Sequence, residues 1–173
     1  MQPASKILVP LLAYKSAADR ELLEFASQWG PAPEEPLRQV LRHLDHVSAV
    51  DRIFKCHLAG IAHGLAATLI EEQPVLARLR ERIREVDAWF EEYARHVSSP
   101  ELSRPIRFMF TDGQRGTMTP VEMLLHVCTH AAYHRGAAWA VFRSAARTPA
   151  SLTFAGFLHG TSPERREQET LPR

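Results

Sequence analysis

Cysteine, long apolar runs and charge of one sign are all scarce in this chain, and each scarcity removes a class of protein. Only Cys56 and Cys128 occur in 173 residues. Their lack of paired spacing excludes a disulfide scaffold and a cysteine-based zinc finger. They read as free thiols of a reducing compartment, with a single disulfide between them as the alternative, and the expected location is the cytoplasm. No stretch approaches the roughly 20 apolar residues of a spanning helix, and no membrane association is expected. The short apolar run over residues 7–13 is broken by Pro10 and followed by charged residues, a poor match to a leader. Lys and Arg number 21 against 20 Asp and Glu, for a formal charge of +1. That balance supplies no concentrated basic surface and argues against a nucleic-acid partner.

What the chain does have is apolar periodicity. Its length suits one domain with a substantial core better than two. A first helix is expected from Val9 or Leu11 to Trp29, with Leu12, Ala18, Leu22 and Leu23 in its stripe and Gly30-Pro31 ending it. A second begins near Pro36 and runs to Gly60. Residues 61–73 are ambiguous between a short helix and an ordered connection. The third is the clearest: Leu76, Leu79, Ile83, Val86, Phe90, Tyr93 and Val97 recur by threes and fours, and the charged residues between them are expected to face water. Ser98, Ser99 and Pro100 close it.

Residues 106–110 favour an extended strand, Asp112-Gly113 is a turn signal, and residues 116–118 can return as its partner. Thr119 then serves as an N-cap, with Pro120 at the helix start and Glu122 three residues beyond the cap. This fourth long helix is expected to reach Ala146. The sum is an all-α four-helix bundle with a small hairpin-like insert before the last long helix. Residues 1–160 form the domain, with residues 154–158 capping one end, and residues 161–173 read as a loose tail.

The chemistry is concentrated in histidine, of which there are nine. His126, His130 and His134 follow one another at intervals of four, on nearly one helix face and about 6 Å apart along the axis. Two such imidazoles can converge on one metal ion. The zinc-protease signature is absent, because Ala131 stands where HExxH needs its glutamate. His126 to His134 spans about 12 Å, too far for all three to serve one ion, so His126 is expected beside or behind the ligands. A third ligand must come from a facing helix, and spacing alone does not separate His43 from His46, with His57 and His63 as further candidates. Three neutral histidines suit Zn²⁺ or Ni²⁺ and leave positions for water or substrate.

Three segments resemble the DinB/YfiT-like family of metal-binding four-helix bundles: residues 11–23, residues 46–60, and residues 117–136 with their His130-x-x-x-His134-Arg135-Gly136 stretch. The family pattern places its first ligand eight residues before an aromatic and fourteen before a glycine. His46 has both, in Phe54 and Gly60, so the resemblance selects His46 with His130 and His134 as the metal ligands. Tyr14 matches the opening aromatic, Lys15 stands where an asparagine is common, and Ala137 replaces a common glutamine. The resemblance implies an up-down-down-up bundle, often a homodimer, with the metal in a cleft at one end.

It also implies a metal-dependent enzyme acting on a small molecule. Low-molecular-weight-thiol transferases and isomerases that act on electrophiles belong to the family, with mycothiol, bacillithiol or glutathione as cosubstrate. Tyr133, Arg135, Lys15 and Asp51 are polar candidates near such a cleft, none of them assigned as a general base. The alternatives are a metal-dependent hydrolase and a non-catalytic, metal-binding stress-associated bundle.

Overall fold

A computed structural model of the protein describes residues 5–29, 34–68, 74–150 and 152–165. The four long helices are α1 (Ser5–Ser27), α2 (Glu35–Ala59), α3 (Leu76–His96) and α5 (Pro120–Ser144). A single turn, α4 (Ser99–Leu102), and a hairpin of β1 (Ile106–Met109) and β2 (Arg115–Met118) lie between α3 and α5. After α5 come α6 (Phe154–Thr161) and a 3₁₀ turn at Pro163–Arg165.

The side chains that meet fix the topology. Lys15 meets Asp87 and Arg80 reaches the Leu23 carbonyl, so α1 and α3 are antiparallel. His46 meets His130 and Phe54 meets His126, so α2 and α5 are antiparallel. Asp45 pairs with Arg82 and Lys55 with Glu85, which makes α2 and α3 parallel. Asp19 pairs with Arg135 and Phe25 packs on Phe142, which makes α1 and α5 parallel. The bundle is therefore up-down-down-up, with the consecutive helices α2 and α3 parallel.

Local sequence explains most boundaries. Gly60 ends α2 in the left-handed region at φ 70°, where a side chain would be strained. Thr119 and Glu122 form a reciprocal capping box at the start of α5. A second box, Ser98 with Glu101, starts the unforeseen turn α4 where closure of α3 alone was expected. Helix α1 begins at Ser5 rather than Val9 and carries Pro10 inside it. A proline there removes one amide, while the longer helix buries Leu8 alongside Leu12. The described part of the 61–73 connection, residues 61–68, is not helical. The tail expected from Thr161 instead begins with the end of α6 and the 3₁₀ turn at Pro163–Arg165, and residues 69–73 and 166–173 lie outside the described residues.

The apolar core falls into two clusters. One gathers Leu8, Leu12, Phe54, Phe90, Leu124 and Val127 with their neighbours; the other gathers Leu23, Leu41, Leu44, Ile83, Trp29 and Phe142. Between them lies a charged layer. Lys15 is 1% exposed, and its ammonium sits 2.9 Å from Asp19, 2.8 Å from Asp51 and 2.5 Å from Asp87. Arg135 binds the other oxygen of Asp19 at 2.7 Å. All four long helices thus contribute a charge to one buried group. Asp87 corrects the expectation that the charged residues of α3 face water: it is buried because the Lys15 ammonium, inside the bundle, needs partners.

The group holds three carboxylates against two cations, so one negative charge is in excess. Burial pushes Asp87 up to about 7 and Asp51 up to about 6, against the pull of Lys15. For Asp19, burial is outweighed by Lys15 and Arg135, which hold it below the usual carboxylate range. For Lys15, burial is outweighed by the three aspartates, and its pKa lies well above the ordinary value.

Two outcomes follow for stability. Lys15→Met leaves three buried carboxylates without their shared cation and should lower the unfolding free energy by about 3–5 kcal/mol in urea titrations at pH 7; a loss below about 1 kcal/mol would contradict the role given to Lys15. The pKa values of Asp51 and Asp87 are raised on folding, so their contribution is fully present below about pH 4 and is lost as pH rises through 6 to 7. The stability difference between wild type and Asp87→Asn should therefore shift against wild type from pH 4 to pH 8, and a pH-independent difference rules this out.

Candidate metal centre

His46, on α2, faces His130 and His134, on α5, across the antiparallel helix pair. The Nε2 atoms of His46 and His130 are 3.1 Å apart, and the three imidazole centroids lie 4.5 to 5.0 Å from one another. One nitrogen from each ring can be chosen so that all three lie within 4.8 Å. Two ligands at ordinary Zn–N lengths and a tetrahedral angle stand about 3.3 Å apart, so the pair already has the separation an ion requires. These three residues could hold a metal ion.

The surroundings favour the same use. The Thr68 carbonyl lies 2.9 Å from His46 Nδ1. A carbonyl only accepts, so Nδ1 carries the proton and Nε2 offers its lone pair toward His130. His130 Nδ1 is buried without a hydrogen-bond partner. Burial, then the neighbouring His134 and His46, push His130 down to about 3; burial, then His46 and His43, push His134 down to about 4. Neutral imidazole is the form that binds metal.

His43 and His46, which spacing did not separate, are both used. His46 joins the trio, while His43 sits behind His134 with its Nδ1 3.3 Å from the Nδ1 of His134. His126 stacks on His130 at 5.3 Å and 23°. Tyr133 touches the edge of His134 at 5.1 Å but is 73% exposed, on the outer side of α5.

The other polar candidates lie elsewhere. Lys15 and Asp51 belong to the buried charged layer. Arg135 pairs with Asp19 and lies over the Tyr14 ring at 5.5 Å. Tyr14 in turn donates its hydroxyl to the Leu152 carbonyl, clasping the segment before α6. Cys128 is free and buried, and burial pushes its thiol up to about 12, which leaves it inert at neutral pH.

A cleft of about 320 Å³ opens beside the trio. His46, His130, His126 and His57 share its lining with Val50, Ile53, Phe54, Phe108, Phe110 and Met118. The hairpin supplies the last three. Phe108 packs against His57 at 4.7 Å and Phe54 at 6.2 Å, and Phe110 meets Phe108 edge-on at 4.8 Å. Strand register sets Phe108 opposite Gly116. A Cβ there would fall 2.7 Å from the Phe110 ring and 2.8 Å from the Phe108 ring, so the absence of a side chain lets both rings lie across β2. Alternation of Phe108 and Phe110 was the available sequence signal for this wall, legible as a strand but not as part of a site.

Among known families, the DinB family matches residues 11–169. The chain belongs to the DinB family. The match takes in α1 from residue 11 onward, the whole of α2, α3 and α5, and every histidine of the trio. No curated protein shows significant similarity to the chain. No helix among the described residues is long and apolar enough to cross a membrane.

Proposed function

We propose that this DinB-family protein is a divalent-metal-dependent enzyme acting on small molecules, with His46, His130 and His134 as the ligands. The observation that carries the reading is the convergence of three histidines, two of which, His46 and His130, line a cleft large enough for a substrate. A bound Zn²⁺ or Ni²⁺ supplies Lewis acidity and lowers the pKa of a nucleophile such as a thiol or water. The protein's own residues do the rest. Thr68 orients His46, His43 backs His134, and the rings of Phe54 and Phe108 keep water from the cleft. His57 and His126, whose pKa values burial lowers, are the proton acceptors the cleft offers. Transfer of a low-molecular-weight thiol, isomerisation and hydrolysis all fit this set of parts.

A protein that only sequesters its ion surrounds it with protein donors. Three protein donors beside an open cleft favour catalysis instead.

Protein purified without an affinity tag should take up one equivalent of Zn²⁺ by calorimetry and elemental analysis. His46→Ala, His130→Ala and His134→Ala should each lose stoichiometric uptake while circular dichroism shows the helices intact. Unchanged uptake in any of the three removes that residue from the site. His43→Ala should keep the stoichiometry but weaken affinity by about tenfold; an unchanged affinity would show that His43 does not support His134.

A further inference from the structure

The cleft beside the trio has an unusual lining. Among the described residues that form it there is no Lys, Arg, Asp or Glu; its polar side chains are histidines and the hydroxyls of Thr68 and Thr111. Most of its wall is aliphatic or aromatic. Away from the trio, a charged group placed against these walls would lose its hydration and meet no charged side chain among the described lining residues, whereas an apolar one would gain by leaving water. The wall is also deliberately assembled. Three ring systems, Phe54, His57 and Phe108, tilt against one another within 4.7 to 6.2 Å. Gly116 removes the one side chain that would displace Phe108 and Phe110. Phe110 remains 46% exposed at the lip, an apolar surface that the described residues leave open.

The geometry points to an uncharged substrate with a planar aromatic body, held against the rings of Phe54, Phe108 and Phe110 with its reacting group toward the trio. This rests on the metal-enzyme reading above and narrows it. The volume, about 320 Å³, accommodates a one- or two-ring molecule. Offset stacking and edge contacts with three differently tilted rings select planarity as well as apolarity. Peptidic thiols such as glutathione, which carry carboxylates, find no cationic side chain on these walls. If a thiol takes part, its charged portion must lie outside the cleft and only the electrophile inside it.

Met118 lies in the cleft wall and supplies a direct reporter. Protein labelled at the methionine methyls is titrated with 2-naphthalenemethanol and, separately, with 2-naphthalenesulfonate, which shares the ring but carries a fixed charge and binds metal poorly. Met118→Leu identifies the resonance. The neutral probe should shift the Met118 methyl saturably and bind at least about tenfold more tightly than the sulfonate. Phe108→Ala should weaken the neutral probe by about tenfold or more, and Gly116→Ala, which pushes the rings, should alter its affinity while leaving zinc uptake unchanged. Equal or tighter binding of the sulfonate, or a Met118 methyl that neither probe moves, overturns the inference.

Each titration is run on metal-free and zinc-loaded samples whose metal content is measured. Apolar selectivity in a protein that takes up no zinc would sink the metal reading and leave the cleft inference standing. Zinc uptake by the trio without apolar selectivity would do the reverse.

Discussion

The Lys15 ammonium, buried among Asp19, Asp51 and Asp87, is the constraint on which the remaining geometry depends. One cation touches carboxylates from α1, α2 and α3, and through Asp19 it is linked to Arg135 on α5. Apolar packing alone tolerates some rotation or sliding of helices; a cation that must meet three carboxylates does not. On α5, consecutive residues point about 100° apart. Fixing Arg135 toward α1 therefore turns His134, and with it His130 one turn earlier, toward α2. The charged layer sets the phase of the helix that carries two of the three metal-binding candidates.

The two polar systems are neighbours with opposite requirements. The charged layer is stable because its ions face each other, and the raised pKa values of Asp51 and Asp87 favour neutralising its excess negative charge by a proton as pH falls through 7 to 6. The trio needs uncharged nitrogens. Lys15 itself adds to the effects that lower His130, while the aspartates keep that cation from dominating the surroundings. A buried ion group is weak evidence of net stabilisation. Here its clearest effect is on arrangement: it defines which faces of α1, α2, α3 and α5 meet, and so where the histidines converge.

How much of this was readable in the sequence depended on how local the cause was. The stripe of α3, the left-handed Gly60, the Thr119 box and the Asp112-Gly113 turn are written in adjacent residues, and the corresponding elements appear within a few residues of expectation. The same logic could have found the Ser98–Glu101 box. Lys15 and Asp87 were not readable as core, because a charged residue beside an apolar stripe looks like any solvated one until its partners on other helices are known. His43 and His46 share a helix face, so spacing left them equivalent. The resemblance favoured His46, and the fold adds that His46 packs against both His130 and His134, whereas His43 meets His134 from behind. The Thr68 carbonyl, delivered by a connection without periodicity, had no sequence signal at all.

The division of labour between elements bears on how such a site can change. The trio stands on α2 and α5, whose mutual orientation is held along their length by packing and by the charged layer. The cleft beside the trio is lined by α2 and α5 on one side and by the two-stranded insert on the other, which contributes Phe108, Phe110, Thr111 and Met118 and rests on α2 through Phe108. Replacing a ring of the insert alters the cleft without moving a candidate ligand, whereas replacing Lys15 or Asp51 disturbs the helices that carry those ligands. Gly116 sits where these constraints meet: its missing side chain matters to no helix, yet it determines how two of the cleft's aromatic rings lie. Under the proposed function, the insert's share of the cleft is therefore free to vary with little effect on the bundle, whereas the candidate ligands stand on helices the bundle cannot move independently.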